Sequence, residues 1–280
     1  MLPTLRLGDK GERVKDWQNF LRGRDLYLFY VDGDFGKRTF EATKAFQSKY
    51  NLKADGVVGT QTYLQAGSLG LPLVKDKTGD QYGPGWPEPP PDLMYLERTG
   101  RTDLFGSFRF KAVGTEDNPE AIQVLDNWYQ ENIVMVPIPQ LKGIKGTGKH
   151  SSFPFHKRVA EQVQKLFKAW QDKGLLVNPA GEVILTWHGS YCARFIRGVK
   201  VKSGSVLQSK NVNGLSNHSY GTAFDINMKW NYLGHEPALV GKKGCVRELV
   251  KTANKLGFWW GGHYSSRKDG MHFEVVKLLF

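Results

Sequence analysis

Three folded or linking segments of different class are predicted by this sequence. A small all-α unit of three helices spans residues 1–68, a Pro/Gly-rich linker spans 69–97, and a larger α+β domain spans 98–280. Three observations lead there. A motif recurs within the first 62 positions, a run of prolines and glycines follows it, and beyond that run helix-period and strand-period patterns are mixed.

The repeat reads Asp-Gly-x-apolar-Gly-x-x-Thr, first from Asp32 to Thr39 and again 23 residues later from Asp55 to Thr62. Glycine suits a tight turn with positive φ, and the aspartate bonds its own backbone there. Before the first copy, Val14, Trp17 and Leu21 share one helical face; after it, Phe40, Thr43, Phe46 and Tyr50 do the same. The Asp-Gly turns therefore lead into the second and third helices. The stretch Leu7-Gly-Asp-x-Gly-x-x-Val14, with Gln18, Leu21, Asp32–Gly36, Thr39, Ala45–Gln47 and Asp55–Gly59, resembles the peptidoglycan-binding domain found at the ends of many wall hydrolases. The resemblance covers roughly residues 5–66 and implies peptidoglycan as the partner. Most of the named residues read as core or turn, so the family likeness carries the binding inference and no single residue does.

The segment Gly83-Pro-Gly-Trp-Pro-Glu-Pro-Pro-Pro91 cannot be helix or central strand, because proline lacks the amide donor and restricts its predecessor. It is either a stiff linker or a strapped-down crossing. Farther on, Asn118-Pro119 predicts the start of a helix carrying Ile122, Leu125 and Tyr129. Val159, Val163, Leu166 and Trp170 predict an amphipathic helix ending near Gly174. Strands are expected at Val183–Trp187, Thr222–Met228 and His272–Val276.

Composition narrows the function classes. Apolar residues make up 40% and charged residues 24%, which suits a globular chain. No stretch approaches the roughly 18 apolar residues of a membrane span, so no membrane insertion is expected. The start, Met1 to Lys10, lacks a basic segment followed by an apolar one, so the expectation is a chain with no signal peptide, made in a cytoplasm. Cys192 and Cys245 cannot build a disulfide framework and read as reduced thiols. Residues 1–70 hold 11 Lys and Arg against 8 Asp and Glu, a net +3, which leaves +9 of the total +12 for the rest. This diffuse field favours any polyanion. Without three consecutive Lys or Arg and without a zinc-finger or RNA-binding signature, nucleic acid is not the expected partner.

Two of the seven histidines stand in informative company: His218 in Ser216-Asn-His-Ser-Tyr-Gly-Thr-Ala-Phe-Asp225, and His272 in Asp269-Gly-Met-His-Phe-Glu274. After Gly221 the chain alternates as a strand, with Ala223, Asp225 and Asn227 on one face and Phe224 and Ile226 on the other. An aspartate between Phe and Ile is costly to bury alone, and a metal is one good partner. Backbone amides are the alternative partners for Asp225. A catalytic zinc needs three protein ligands and an open position, which His218, Asp225 and His272 would provide. Asp269, three residues before His272, is then placed to take a proton from water as general base. An arginine suits the oxyanion, and Gly189–Gly198 offers Arg194 and Arg197.

Ser-x-His-x-x-Gly-x-Ala-x-Asp followed by Asp-x-x-His resembles the zinc D-Ala-D-Ala carboxypeptidases, the vancomycin-resistance dipeptidases and the phage L-alanyl-D-glutamate endolysins. Their fold, shared with lysostaphin-type peptidases and the hedgehog signalling domain, is α+β with a small antiparallel sheet. The resemblance runs over about 185–280 and includes Gly257–His263 and Val246–Val250. It implies one zinc per chain on His218, Asp225 and His272, with Asp269 as base. It places the arginine at Arg194 rather than Arg197, and it makes Ser216 a substrate contact. Many relatives carry Glu as the base; the endolysin branch often has Asp, as here. Residues 98–184 read as an N-terminal extension of the same domain, and Trp259 and Trp260 as cleft wall or core. The reading as a whole is a monomeric modular phage endolysin that hydrolyses the peptide stem of peptidoglycan, with the L-Ala–D-Glu bond as expected target. Such a protein stays in the host cytoplasm until lysis and then acts on the wall. A D-Ala-D-Ala carboxypeptidase of wall remodelling is the same-class alternative, and an inactive zinc-stabilised wall-binding protein is the alternative from another class.

Overall fold

Helix α1 (Glu12–Arg22) buries Val14, Trp17, Gln18, Phe20 and Leu21 along one side, while its remaining side stays polar. A computed structural model describes residues 4–29, 31–69, 71, 85–177, 185–199, 201–265 and 267–279. In its N-terminal unit α1 packs with α2 (Lys37–Lys49) and α3 (Thr60–Ser68) around Trp17, Phe20, Phe35, Phe46 and Val58. Trp17 stacks on Phe20 with ring centroids 5.2 Å apart and donates its indole N–H to Thr43 Oγ1 at 2.8 Å.

The sequence repeat is a repeat of hydrogen bonds. Gln18 accepts from Gly33 N at 2.9 Å and donates to Asp32 Oδ1, Asp34 O and Thr39 Oγ1. Gln47 does the same one unit later, accepting from Gly56 N at 2.8 Å and donating to Asp55 Oδ1, Val57 O and Thr62 Oγ1. Each amide thus ties an Asp-Gly turn to the helix that follows it, and full satisfaction is what makes a buried glutamine tolerable. Gly56 takes φ +74°, and a Cβ there would fall 2.2 Å from the Phe40 ring.

The proline-rich segment runs from the undescribed residues 72–84 into 85–97, and the described part is strapped down. Trp86 lies against Trp260 and His263, and Pro87 O accepts from His263 Nε2 at 2.7 Å. Then come α4 (Arg98–Phe105), β1 (Arg109–Ala112), β2 (Ile122–Val124), α5 (Trp128–Asn132), β3 (Ile133–Pro137), β4 (Ser152–His156), α6 (Ala160–Asp172), β5 (Val206–Gln208), β6 (Ala223–Asp225), α7 (Arg247–Lys255), β7 (Phe258–Trp260) and β8 (His272–Val275). They form antiparallel sheets in the orders β2-β1-β5, β3-β4 and β6-β8-β7. Helices and several small antiparallel sheets thus make up the C-terminal unit, where one sheet was expected.

Alternation along β6 and β8 sorts their residues. Phe224 and Phe273 pair across the ladder, stack with centroids 5.6 Å apart, and meet Trp170 of α6. Ala223, Asp225, His272 and Glu274 therefore share the opposite face.

Three expectations need revision. The helix predicted from Asn118 is instead strand β2 followed by the short α5. Ile122 is buried, but Leu125 and Tyr129 are 38% and 37% exposed, so their helical spacing marks no buried stripe. The strand at Val183–Trp187 lies partly outside the described residues, and in its described part Thr186 and Trp187 form only isolated bridges, to Lys145 and Ile226. The strand at Thr222–Met228 is cut to β6, because Asn227 turns left-handed at φ 54°. By contrast, α6 matches its predicted apolar face, and Gly174 closes it at φ +67°.

The two units touch. Tyr232 of the C-terminal unit is buried in the N-terminal core cluster, and Arg38 meets Asp117 at 3.0 Å. No helix among the described residues is long and apolar enough to cross a membrane.

Candidate metal centre and cleft

Asp225 and His272 are Cα partners in the antiparallel β6–β8 ladder, so both side chains rise from the same face of the sheet. His218 reaches them from a 3-10 turn, Asn217–Tyr220. Ser216 caps that turn by accepting from His218 N at 3.3 Å, and Gly221 closes it in the left-handed region at φ 64°. A Cβ on Gly221 would fall 2.9 Å from His156 N, so glycine is required there for two reasons.

Three ligand atoms converge. His218 Nε2 lies 3.2 Å from Asp225 Oδ1 and 3.2 Å from His272 Nδ1, and His272 Nδ1 lies 3.0 Å from Asp225 Oδ1. Tetrahedral zinc with bonds of about 2.0–2.1 Å requires ligand separations of about 3.3–3.4 Å, close to this triangle. The protonation pattern agrees. The Ser190 carbonyl accepts from His218 Nδ1, which leaves the Nε2 lone pair pointing into the triangle. His272 turns Nδ1 inward and Nε2 towards Glu274 Oε2, 3.8 Å away. Three lone pairs this close repel one another unless a proton or a metal ion sits among them. Burial depresses the His218 pKa against the pull of Asp225. Burial works against ionised Asp225, but contacts with His218 and His272 outweigh it and hold the carboxyl well below its usual range. Burial likewise opposes His272, yet Asp225 and Glu274 raise it to about 10. The set fits a bound divalent cation, and among the described residues it is the group of His, Cys, Asp and Glu side chains arranged to hold one.

The triangle opens into a cavity of about 1540 Å³ whose walls include Arg194, Arg197, Ser216, Tyr264 and Asp269. Asp269 enters it from the turn before β8, where its carbonyl accepts from His272 N at 3.0 Å. Its Oδ1 is out of contact with solvent and has no hydrogen-bond partner among the described residues. Burial, reinforced by the charge of Asp225, raises the Asp269 pKa to about 7.

Family matches fall on both units. Residues 210–275 match the D-alanyl-D-alanine carboxypeptidase family, and residues 10–65 match the peptidoglycan binding domain family. The chain is thus similar to a peptidoglycan-binding domain over residues 10–65 and to the carboxypeptidase family over residues 210–275. It is 37% identical over 59 residues to a spore cortex-lytic enzyme of Bacillus cereus, a stretch covering 21% of this chain and 23% of that enzyme. The chain thus spans about a quarter of the length of the curated relatives it matches. Solved structures similar to it include the SleB N-terminal domain, at 33% identity over 24% of this chain and 90% of that one, with TM-score 0.23. A Burkholderia AP3 phage endolysin is 36% identical over 23% of this chain and 24% of that one, with TM-score 0.22.

Within the C-terminal unit the two candidate arginines differ. Arg197 donates to Glu120 Oε2 at 2.8 Å, and Glu120 is 1% exposed and also accepts from Gly198 N. Among the described residues the Arg194 guanidinium donates only to a neutral carbonyl, that of Phe195, at 3.1 Å, so its charge is left for the cavity. Ser216 lines the same cavity while its Oγ caps the His218 turn. Trp260 is fully buried and donates to Gly270 O, and Trp259 packs with Leu93 and Val276. Both tryptophans are core. Tyr264 is one of the tyrosines lining the cavity, and its hydroxyl donates to Glu274 Oε1 at 2.8 Å.

Sequence reasoning passed over Glu274, Tyr264, Ser190 and Glu120. The first had a signal: it stands two residues after His272 in a strand, hence on the same face. The others become neighbours only in the fold.

Proposed function

We propose that this chain is a zinc-dependent peptidase that hydrolyses the peptide stem of bacterial peptidoglycan. The observation that carries the proposal is the His218–Asp225–His272 triangle, opening into one cavity with Asp269 and Arg194. A purely structural metal site needs neither a buried unpartnered carboxylate nor a facing arginine, which disfavours an inactive wall-binding protein.

Zinc, when bound, supplies a Lewis-acidic centre that polarises oxygen groups and makes water acidic near neutral pH. The chain's own residues do the remaining work. Asp269 takes the proton of the attacking water on its carboxylate and passes it to the leaving amine. Arg194 donates hydrogen bonds to the oxyanion that forms at the scissile carbonyl. Ser190 and Glu274, through the outer nitrogens of His218 and His272, hold both rings in the orientation the metal needs. Ser216 contacts substrate at the cavity edge.

In this reading residues 1–68 hold the enzyme on the wall, residues 98–280 cut it, and 69–97 join them in a monomer. Host lysis as a phage endolysin acting on the L-Ala–D-Glu bond is the role that fits, with the protein cytoplasmic until lysis. The D-alanyl-D-alanine match over 210–275 favours a second reading, removal of the terminal D-Ala. Mass spectrometry of purified peptidoglycan after digestion distinguishes them, because the two cuts release fragments of different mass. Products that persist unchanged under chelation would sink the zinc assignment, and no peptide cleavage at all would sink the activity.

A further inference from the structure

The wall-binding domain does more than sit beside the catalytic cleft. Glu12, Lys15, Asp16, Asn19 and Arg22 all line the same cavity as the metal triangle. Their spacing of three, one, three and three residues puts them on one face of α1, away from the face that fills the domain core. This helix is therefore a wall of the cleft. Its attachment is specific: Gly23 lies against the Tyr232 ring, and Asp16 Oδ1 stands 3.5 Å from His235 Nε2.

Charges on that wall are mostly matched. Lys15 pairs with Glu12 at 2.7 Å, and Asp16 lies 3.8 Å from Arg13. Arg22 differs, since no carboxylate among the described residues is in ion-pair contact with it. It is half-buried, and the charged groups felt most strongly by it are Arg197 and Arg194 across the cavity. Burial first, then those two cations, pull its pKa down to about 10. With Arg197 occupied by Glu120, Arg22 and Arg194 line the cavity with no carboxylate among the described residues in ion-pair contact with either. An anion relieves that repulsion, and the planar guanidinium suits a carboxylate.

We infer that Arg22 binds a free carboxylate of the wall peptide, so that the N-terminal domain supplies a substrate-binding residue to the active site. This rests on the peptidase reading above. Steady-state kinetics of the full-length zinc-loaded chain on a soluble stem peptide, as the acid and as the corresponding amide, test it. Arg22→Ala should raise KM for the acid about tenfold or more with kcat within about twofold, as expected for a lost charge-assisted hydrogen bond. Arg22→Lys should fall between. Wild type should already show the raised KM on the amide, where Arg22→Ala adds nothing. The acid-to-amide ratio of wild type reads out the same contact without any substitution. Arg22→Ala indistinguishable from wild type on the acid, or equal losses on acid and amide, would overturn the assignment of Arg22 alone. Wild type cutting neither peptide would instead overturn the peptidase reading beneath it.

Discussion

Asp225 and His272 stand directly opposite each other in the antiparallel β6–β8 pair, with Oδ1 and Nδ1 3.0 Å apart. Their neighbours Phe224 and Phe273 stand opposite in the same way, on the core side of the sheet. One register thus sets both the candidate metal site and the packing beneath it. A slip of one residue would bury the carboxylate and expose the aromatics, so the hydrophobic face enforces the ligand geometry.

The first expected outcome concerns metal. One zinc per chain should copurify, as read by elemental analysis, and chelation should abolish hydrolysis until zinc is restored. His218→Ala should lower zinc content and activity together, since two ligands rarely hold catalytic zinc. Full zinc occupancy in that variant would remove His218 from the ligand set.

Base and oxyanion roles separate from coordination. Asp269→Ala should keep zinc and lose on the order of 10²–10⁴-fold in kcat. Arg194→Ala should keep zinc and lose on the order of 10²-fold or more. Arg197→Ala leaves the buried Glu120 carboxylate without its partner, so its main effect should be a lower unfolding midpoint. A larger kcat defect in Arg197→Ala than in Arg194→Ala would exchange their roles.

Glu274→Gln tests the residue that holds His272 from behind. Loss of the carboxylate should weaken zinc binding roughly 10–100-fold, measured by competition with a chromophoric chelator. Unchanged affinity would reduce Glu274 to a packing and Tyr264-bonding role.

His156 supplies a stability prediction. Its Nε2 meets Phe105 O at 3.3 Å, its Nδ1 accepts from Arg158 N, and burial lowers its pKa from 6.5 to about 4. The unfolded chain binds this proton first, so the contribution is full above about pH 6.5 and is lost as pH falls towards 4. The loss amounts to about 3 kcal/mol at most. Urea midpoints of wild type should therefore fall more steeply between pH 6.5 and 4.5 than those of His156→Gln. Parallel pH profiles would show that His156 is not the group titrating.

Division of labour is testable by truncation. Residues 1–68 should bind insoluble peptidoglycan and cut nothing. A chain starting near Leu93 should retain hydrolysis of soluble fragments and act more weakly on whole sacculi, through lost effective concentration. It should also show the raised KM of Arg22→Ala, since it lacks α1. Equal activity of the long and short chains on sacculi would assign the first domain another purpose.

Residues close in sequence, or recurring at a fixed period, were legible without the fold. The turn motif at Asp32 and Asp55 and the apolar face of α6 depend on local rules, positive φ at glycine and the 3.6-residue period, whereas His218, Asp225 and His272 are brought together only by the fold. Local rules misled where periodicity arose without burial. Ile122, Leu125 and Tyr129 have helical spacing, but pairing of Ile122–Val124 with β1 satisfies that backbone instead.

Only the tertiary structure decided which charges remain free to act. Arg194 and Arg197 are three residues apart and chemically identical in the sequence. Glu120, 77 positions before Arg197, neutralises one and not the other. Arg22 belongs by sequence to a helix similar to that of peptidoglycan-binding domains, and it reaches the cavity beside the His218–Asp225–His272 triangle because α1 docks on Tyr232 with its polar face turned inward. A charge's availability depends on every neighbour within a few ångströms, and chain order does not specify those neighbours.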